Sequence, residues 1–140
     1  MTEWKIPEID WDELDIDEEL FDEPMTFDEY AMQSMDKCFY PDAVIYPAFG
    51  LLSEAGEIAD KLKKHFRDGE IDMVACEDGV AELPAQLRMD LAHEIGDVLF
   101  YCCALASDIG YDLEEIAQLN IEKLESRQLR GKLSGSGDYR

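Results

Sequence analysis

Four carboxylates stand out by type and spacing. Glu54 and Glu57 lie three positions apart in Leu51-Leu-Ser-Glu-Ala-Gly-Glu-Ile-Ala-Asp60. Glu94 and Asp97 repeat that spacing in Leu91-Ala-His-Glu-Ile-Gly-Asp-Val-Leu99. On a helix, at about 100° per residue, each pair projects from one face about one turn apart. Like charges so placed repel unless a cation sits between them. Apolar stripes border both pairs: Leu51, Ala55, Ile58, Ala59 and Leu62 beside the first, and Leu91, Ile95, Val98, Cys102 and Leu105 beside the second. Such stripes face a core and should draw both pairs toward a helix–helix seam. Unpaired carboxylates are costly there. Four on facing helices form a hard oxygen cage that suits Mg2+ or Mn2+. Gly56 and Gly96, inside each pair, are expected to let the two backbones approach closely. One such pair alone usually means a solvated helix face. Two matched pairs, each beside an apolar stripe, point to a metal.

Cations follow on the same helix. Lys61 and Lys64 continue the Glu54–Glu57 stripe, with Lys63 and Arg67 beside them. The plainer account is a favourable helix C-terminus and an i,i+4 pair of Glu57 with Lys61. Further along, Asn120, Lys123 and Arg127 fall at i, i+3 and i+7. With Glu122 and Glu125 nearby, that stripe reads first as a solvated face.

Four helices are expected to position these residues. The first begins at Thr26, with Glu29 in capping-box position, and runs to about Cys38. The second covers roughly Ala43 to Asp68 and stops at Gly69. The third starts near Leu83-Pro84 and ends before Gly110. The fourth has Asp112 as N-cap, Glu115 in capping-box position, and ends by Gly131. No useful β-alternation appears, so the class is all-α: a four-helix bundle. It divides into an acidic N-terminal arm (1–25), a helical domain (26–130) and a Gly/Ser-rich tail (131–140), with residues 70–82 as a connector.

Composition narrows the functions open to such a bundle. A chain of 140 residues, 46% hydrophobic, suits one domain with a real core. Its formal net charge is −22, and residues 1–36 hold 14 acidic side chains against Lys5 alone. That surface repels nucleic-acid polymers and anionic lipid. A small anion arriving with a divalent cation is still admitted. No apolar run reaches the ~18–20 residues of a membrane span, and Met1-Thr-Glu-Trp-Lys5 is no signal peptide. Cys38, Cys76, Cys102 and Cys103 lack CxxC spacing, which suggests reduced, mostly buried thiols in a cytoplasmic protein.

Taken together, these motifs resemble the MazG-type all-α nucleoside triphosphate pyrophosphohydrolases. That family pairs EExxE on one helix with ExxD on the next; here they read Ser53-Glu54-Ala-Gly-Glu57 and Glu94-Ile-Gly-Asp97. The likeness extends over Gly50 to Lys64 with Arg67-Asp-Gly69. It resumes in Glu94 to Tyr101 and in Leu113 to Leu124 with Arg127, and closes in Gly-Ser-Gly-Asp-Tyr-Arg140, so it spans residues 26–140. It implies Mg2+-dependent cleavage of a (d)NTP to (d)NMP and pyrophosphate, with Mn2+ as an alternative ion. By motif match, Glu54, Glu57, Glu94 and Asp97 would bind metal and act in catalysis. Lys61, Lys64, Arg67, Asn120, Lys123 and Arg127 would be candidates for substrate contacts. Ser53 departs from the first Glu of the pattern, as in shorter members of the family, and removes one possible ligand or water-activating group.

The resemblance also implies a homodimer or homotetramer. A second apolar strip on the third helix, at Phe100 and Cys103 and nearly opposite the acids, agrees with burial on two sides. A competing reading makes the chain a non-catalytic acidic interaction protein. Its arm, with Trp4, Trp11 and Phe21 among the acids, would then bind a basic partner.

Overall fold

A computed structural model of the chain describes residues 24–71 and 83–131. The expectations for the arm before Pro24, for Cys76 and Gly79, and for the tail after Gly131 lie outside those residues. Four helices, α1 (Phe27–Met35), α2 (Ile45–Arg67), α3 (Ala85–Asp108) and α4 (Leu113–Leu129), make up 75% of the described residues, with no strand among them. None is long and apolar enough to cross a membrane.

The helix ends follow local chemistry. Thr26 and Glu29 form a reciprocal capping box at the start of α1, and Asp112 and Glu115 form another at α4. Gly69 and Gly110 have positive φ and end α2 and α3. Each closes a Schellman pattern: Glu70 N–H donates to His65 O and Gly69 N–H to Phe66 O, and likewise Tyr111 to Ala106 and Gly110 to Ser107. Glycine takes that left-handed conformation without a Cβ penalty.

Two starts and one stop differ from expectation. α1 ends at Met35 rather than near Cys38, because Lys37 and Cys38 donate to Ser34 O and Met35 O in tighter i→i−3 bonds. α2 begins at Ile45 rather than Ala43, because Val44 has φ +64° and cannot lie in a right-handed helix. Pro47 then falls in the first turn, where its missing N–H costs nothing. Pro84 is not the first helical residue. It precedes α3 and accepts from Arg88 N–H.

The chain divides into two compact units. Among the described residues, one takes 49–71 and 83–99, the other 25–48 and 100–131. In the first unit, Leu87 is fully buried. In the second, α1 packs on α4, and Glu114 of α4 accepts from Asp28 N–H, an open donor at the start of α1. Cys103, Ala104, Ala106, Leu113 and Pro47 form its core. Ser34 Oγ lies 3.9 Å from Cys103 Sγ. Cys103 therefore packs against α1 of the same chain, which accounts for its burial without a second subunit. Asp108 ties down the α1–α2 connection, accepting from Tyr40 Oη at 3.0 Å and from Val44 N–H at 2.6 Å. Tyr40 in turn stacks on Tyr46 with ring centres 5.6 Å apart.

Candidate metal centre

The middle of α2 and the middle of α3, both in the first unit, carry the acidic residues. Glu54 from α2 and Glu94 and Asp97 from α3 each present a carboxylate oxygen, all within 4.8 Å of one another. Glu54 and Glu94 are half-buried, and Asp97 is exposed. Burial pushes the Glu54 carboxyl above its ordinary range, and the charges of Asp97, Glu94 and Glu57 push it further. Oxygens around one Mg2+ or Ca2+ ion lie about 2.0–2.6 Å from it, hence no more than about 4–5 Å from each other. An all-carboxylate set of this size therefore fits a hard divalent cation.

Glu57 is not one of the three. It lies one helical turn beyond Glu54 and is exposed, acting on the group by charge through Glu54 and Lys61. Ser53 is also exposed.

The glycines do not play the part expected of them. A Cβ added to Gly56 or Gly96 would meet nothing within 4 Å, so neither marks a close helix contact within the described chain. The apolar stripes are only partly covered. Leu51, Ile58 and Leu62 are half-buried, as are Leu91, Val98, Cys102 and Leu105. Ala55 and Ala59 are exposed, and Ile95 is 56% exposed. In each helix one flank of the stripe turns inward and the other faces out.

The cations of α2 are engaged. Lys61 Nζ lies 3.2 Å from Glu94 Oε1. That contact, with further charge from Asp90 and Glu57, raises the lysine pKa against the opposing effect of desolvation. Lys64 pairs with Asp60 at 2.5 Å, and Lys63 pairs with the same carboxylate. Together they hold Asp60 down to about 2. Arg67 makes a two-point contact with Asp68, each bond 2.7 Å. Sequence reasoning passed over Asp60, although its i+3 and i+4 spacing to Lys63 and Lys64 was a usable signal. The Arg67–Asp68 contact joins chain neighbours and leaves no periodic trace. Asn120, Lys123 and Arg127 lie on α4 in the second unit, the first exposed and the other two half-buried.

Residues 48–130 match the model of the MazG nucleotide pyrophosphohydrolase domain. That segment contains all four carboxylates and leaves out the acidic arm. The chain is 39% identical over 124 residues to the Gene 37 protein of Mycobacterium phage L5, an alignment covering 83% of this chain and 100% of that protein. No solved structure gives a significant match. The chain belongs to the MazG nucleotide pyrophosphohydrolase family.

Proposed function

We propose that this protein is a Mg2+-dependent nucleoside triphosphate pyrophosphohydrolase, cleaving (d)NTP to (d)NMP and pyrophosphate, with Mn2+ able to replace Mg2+. The observation that supports this most is the convergence of Glu54, Glu94 and Asp97 within 4.8 Å, inside the segment that matches the family. These three would hold the ion, and Glu57 stands one turn along to complete its shell or to accept a proton from the attacking water. When bound, the ion supplies Lewis acidity that neutralises phosphate charge and lowers the pKa of water.

Charge explains why the protein needs the ion. A triphosphate carries about four negative charges near neutral pH and is repelled by bare carboxylates, so these residues admit it only together with a cation. Lys61, Lys64, Arg67, Asn120, Lys123 and Arg127 are the proposed donors to phosphate or ribose oxygens. The pairs of Lys64 with Asp60 and Arg67 with Asp68 are solvent-exposed. Exposed pairs contribute little stability and are readily exchanged for a phosphate. Assembly as a homodimer or homotetramer is part of the proposal, and would cover exposed apolar side chains such as Phe49, Leu52, Phe66 and Ile95. Residence in the cytoplasm completes the proposal.

The test is pyrophosphate release from a panel of (d)NTPs with Mg2+. Release should stop on chelation and in Asp97→Asn. Turnover that persists with excess chelator, or full turnover by that variant, would refute the reading.

A further inference from the structure

Lys61 is set apart from the other cations of α2. Lys63 and Lys64 pair with Asp60, and Arg67 with Asp68, all near neighbours in sequence. Lys61 instead crosses to α3 and meets Glu94 at 3.2 Å. It is also better covered than Lys63, Lys64 and Arg67 are: the lysine side chain is 31% exposed and the glutamate 15%. The carboxylate it meets is one of the three that converge. Its ammonium therefore offsets part of the mutual repulsion that Glu54, Glu94 and Asp97 generate.

We propose that Lys61 is a reserve cation: it holds Glu94 until a divalent ion takes that carboxylate, and is then freed to bind the nucleotide's phosphate chain. This rests on the reading of Glu54, Glu94 and Asp97 as the metal ligands. A divalent ion and an ammonium on one carboxylate repel each other, and the ion has twice the charge. Lysine suits the exchange, since its charge is compact, well hydrated and carried on a flexible four-carbon stem. Arginine would lose a planar two-point contact. The exchange couples the two ligands. Metal alone must displace the lysine, whereas metal with nucleotide gives the displaced ammonium a new partner. By linkage, each ligand then strengthens the other.

The experiment measures Mn2+ binding to the full chain by calorimetry and by electron paramagnetic resonance, with and without a non-hydrolysable α,β-methylene nucleoside triphosphate. Wild type, Lys61→Met and Glu54→Gln are compared, with circular dichroism melting as the folding control and Lys61→Gln as a second variant. Lys61→Met should bind Mn2+ alone about tenfold more tightly than wild type, and the nucleotide's enhancement of Mn2+ binding should fall about tenfold, within the usual range for coupled sites. Unchanged or weaker Mn2+ binding in both lysine variants would overturn the proposal, since a lysine that merely orients Glu94 would lose metal affinity when removed. Absence of Mn2+ binding by wild type, or undiminished binding by Glu54→Gln, would instead overturn the assignment of the ligands, and the reserve-cation proposal with it.

Discussion

Glu54 on α2 and Glu94 on α3 bring carboxylate oxygens within 4.8 Å of each other, with Asp97 as the third member of the group. The two residues come from separate helices joined through a long connection. Helix packing in the first unit therefore places like charges where they repel. Lys61, paired with Glu94, offsets this only in part, and a divalent ion, with twice the charge, would offset more of it.

Removing one ligand should weaken the ion far more than removing a neighbour. Glu54→Gln, Glu94→Gln and Asp97→Asn are each expected to lower Mn2+ affinity by roughly 100-fold, at the upper end of what even supporting residues around a metal contribute. Glu57→Gln, outside the converging group, should lower it by about tenfold. Calorimetric titration of the four variants checks the ranking.

The same group should cost stability when no divalent ion is present. Burial and neighbouring anions already disfavour ionised Glu54. Glu54→Gln is therefore expected to raise the chelator-treated stability by about 0.5 kcal/mol, the scale of one or two like-charge contacts. With excess Mg2+ the order should reverse, because only wild type gains from ligand binding. Urea denaturation under both conditions decides it.

The Asp108 clamp makes a second, independent prediction. Its two oxygens hold Tyr40 and Val44 N–H at 3.0 and 2.6 Å, which fixes where α2 begins. Asp108→Ala should cost roughly 2–3 kcal/mol and Tyr40→Phe about 1 kcal/mol. Val44→Gly should be stabilising by about 0.5–1 kcal/mol, because a β-branched residue at φ +64° carries a left-handed penalty that glycine avoids. Denaturant midpoints for the three variants provide the check.

Much of this architecture was legible in the sequence because it is local. Thr26 with Glu29, Asp112 with Glu115, Gly69 and Gly110 mark helix ends by chemistry within a few residues. The paired spacings of Glu54 with Glu57 and of Glu94 with Asp97 put each pair on one helix; Glu54, Glu94 and Asp97 converge, and Glu57 does not join them. What could not be read depends on distant contacts. Val44 takes its backbone conformation with help from Asp108, far along the chain. Cys103 is 4% exposed because α1 covers it, and periodicity on α3 alone cannot show which neighbour does so. Gly56 and Gly96 read as close-approach positions, yet a Cβ at either would meet nothing within 4 Å.

Asp60 gives a pH prediction. Its partners Lys63 and Lys64 hold it at about 2 against an ordinary 3.8. With a depressed folded pKa, its contribution is present above about pH 4 and is lost as pH falls toward 2. Asp60→Asn should thus be less stable than wild type near neutral pH, and the difference should fade as pH drops through about 2. Stability curves of both proteins across that range test it. High salt should shrink the effect, because the pair is exposed.

The most direct test of the central claim is 31P NMR of a nucleoside triphosphate incubated with the full chain and Mg2+. A nucleoside monophosphate and pyrophosphate are expected in equal amounts, with no nucleoside diphosphate intermediate, and no reaction is expected with Glu94→Gln. Nucleoside diphosphate with inorganic phosphate, or an unreacted substrate across all bases and both sugars, would contradict it.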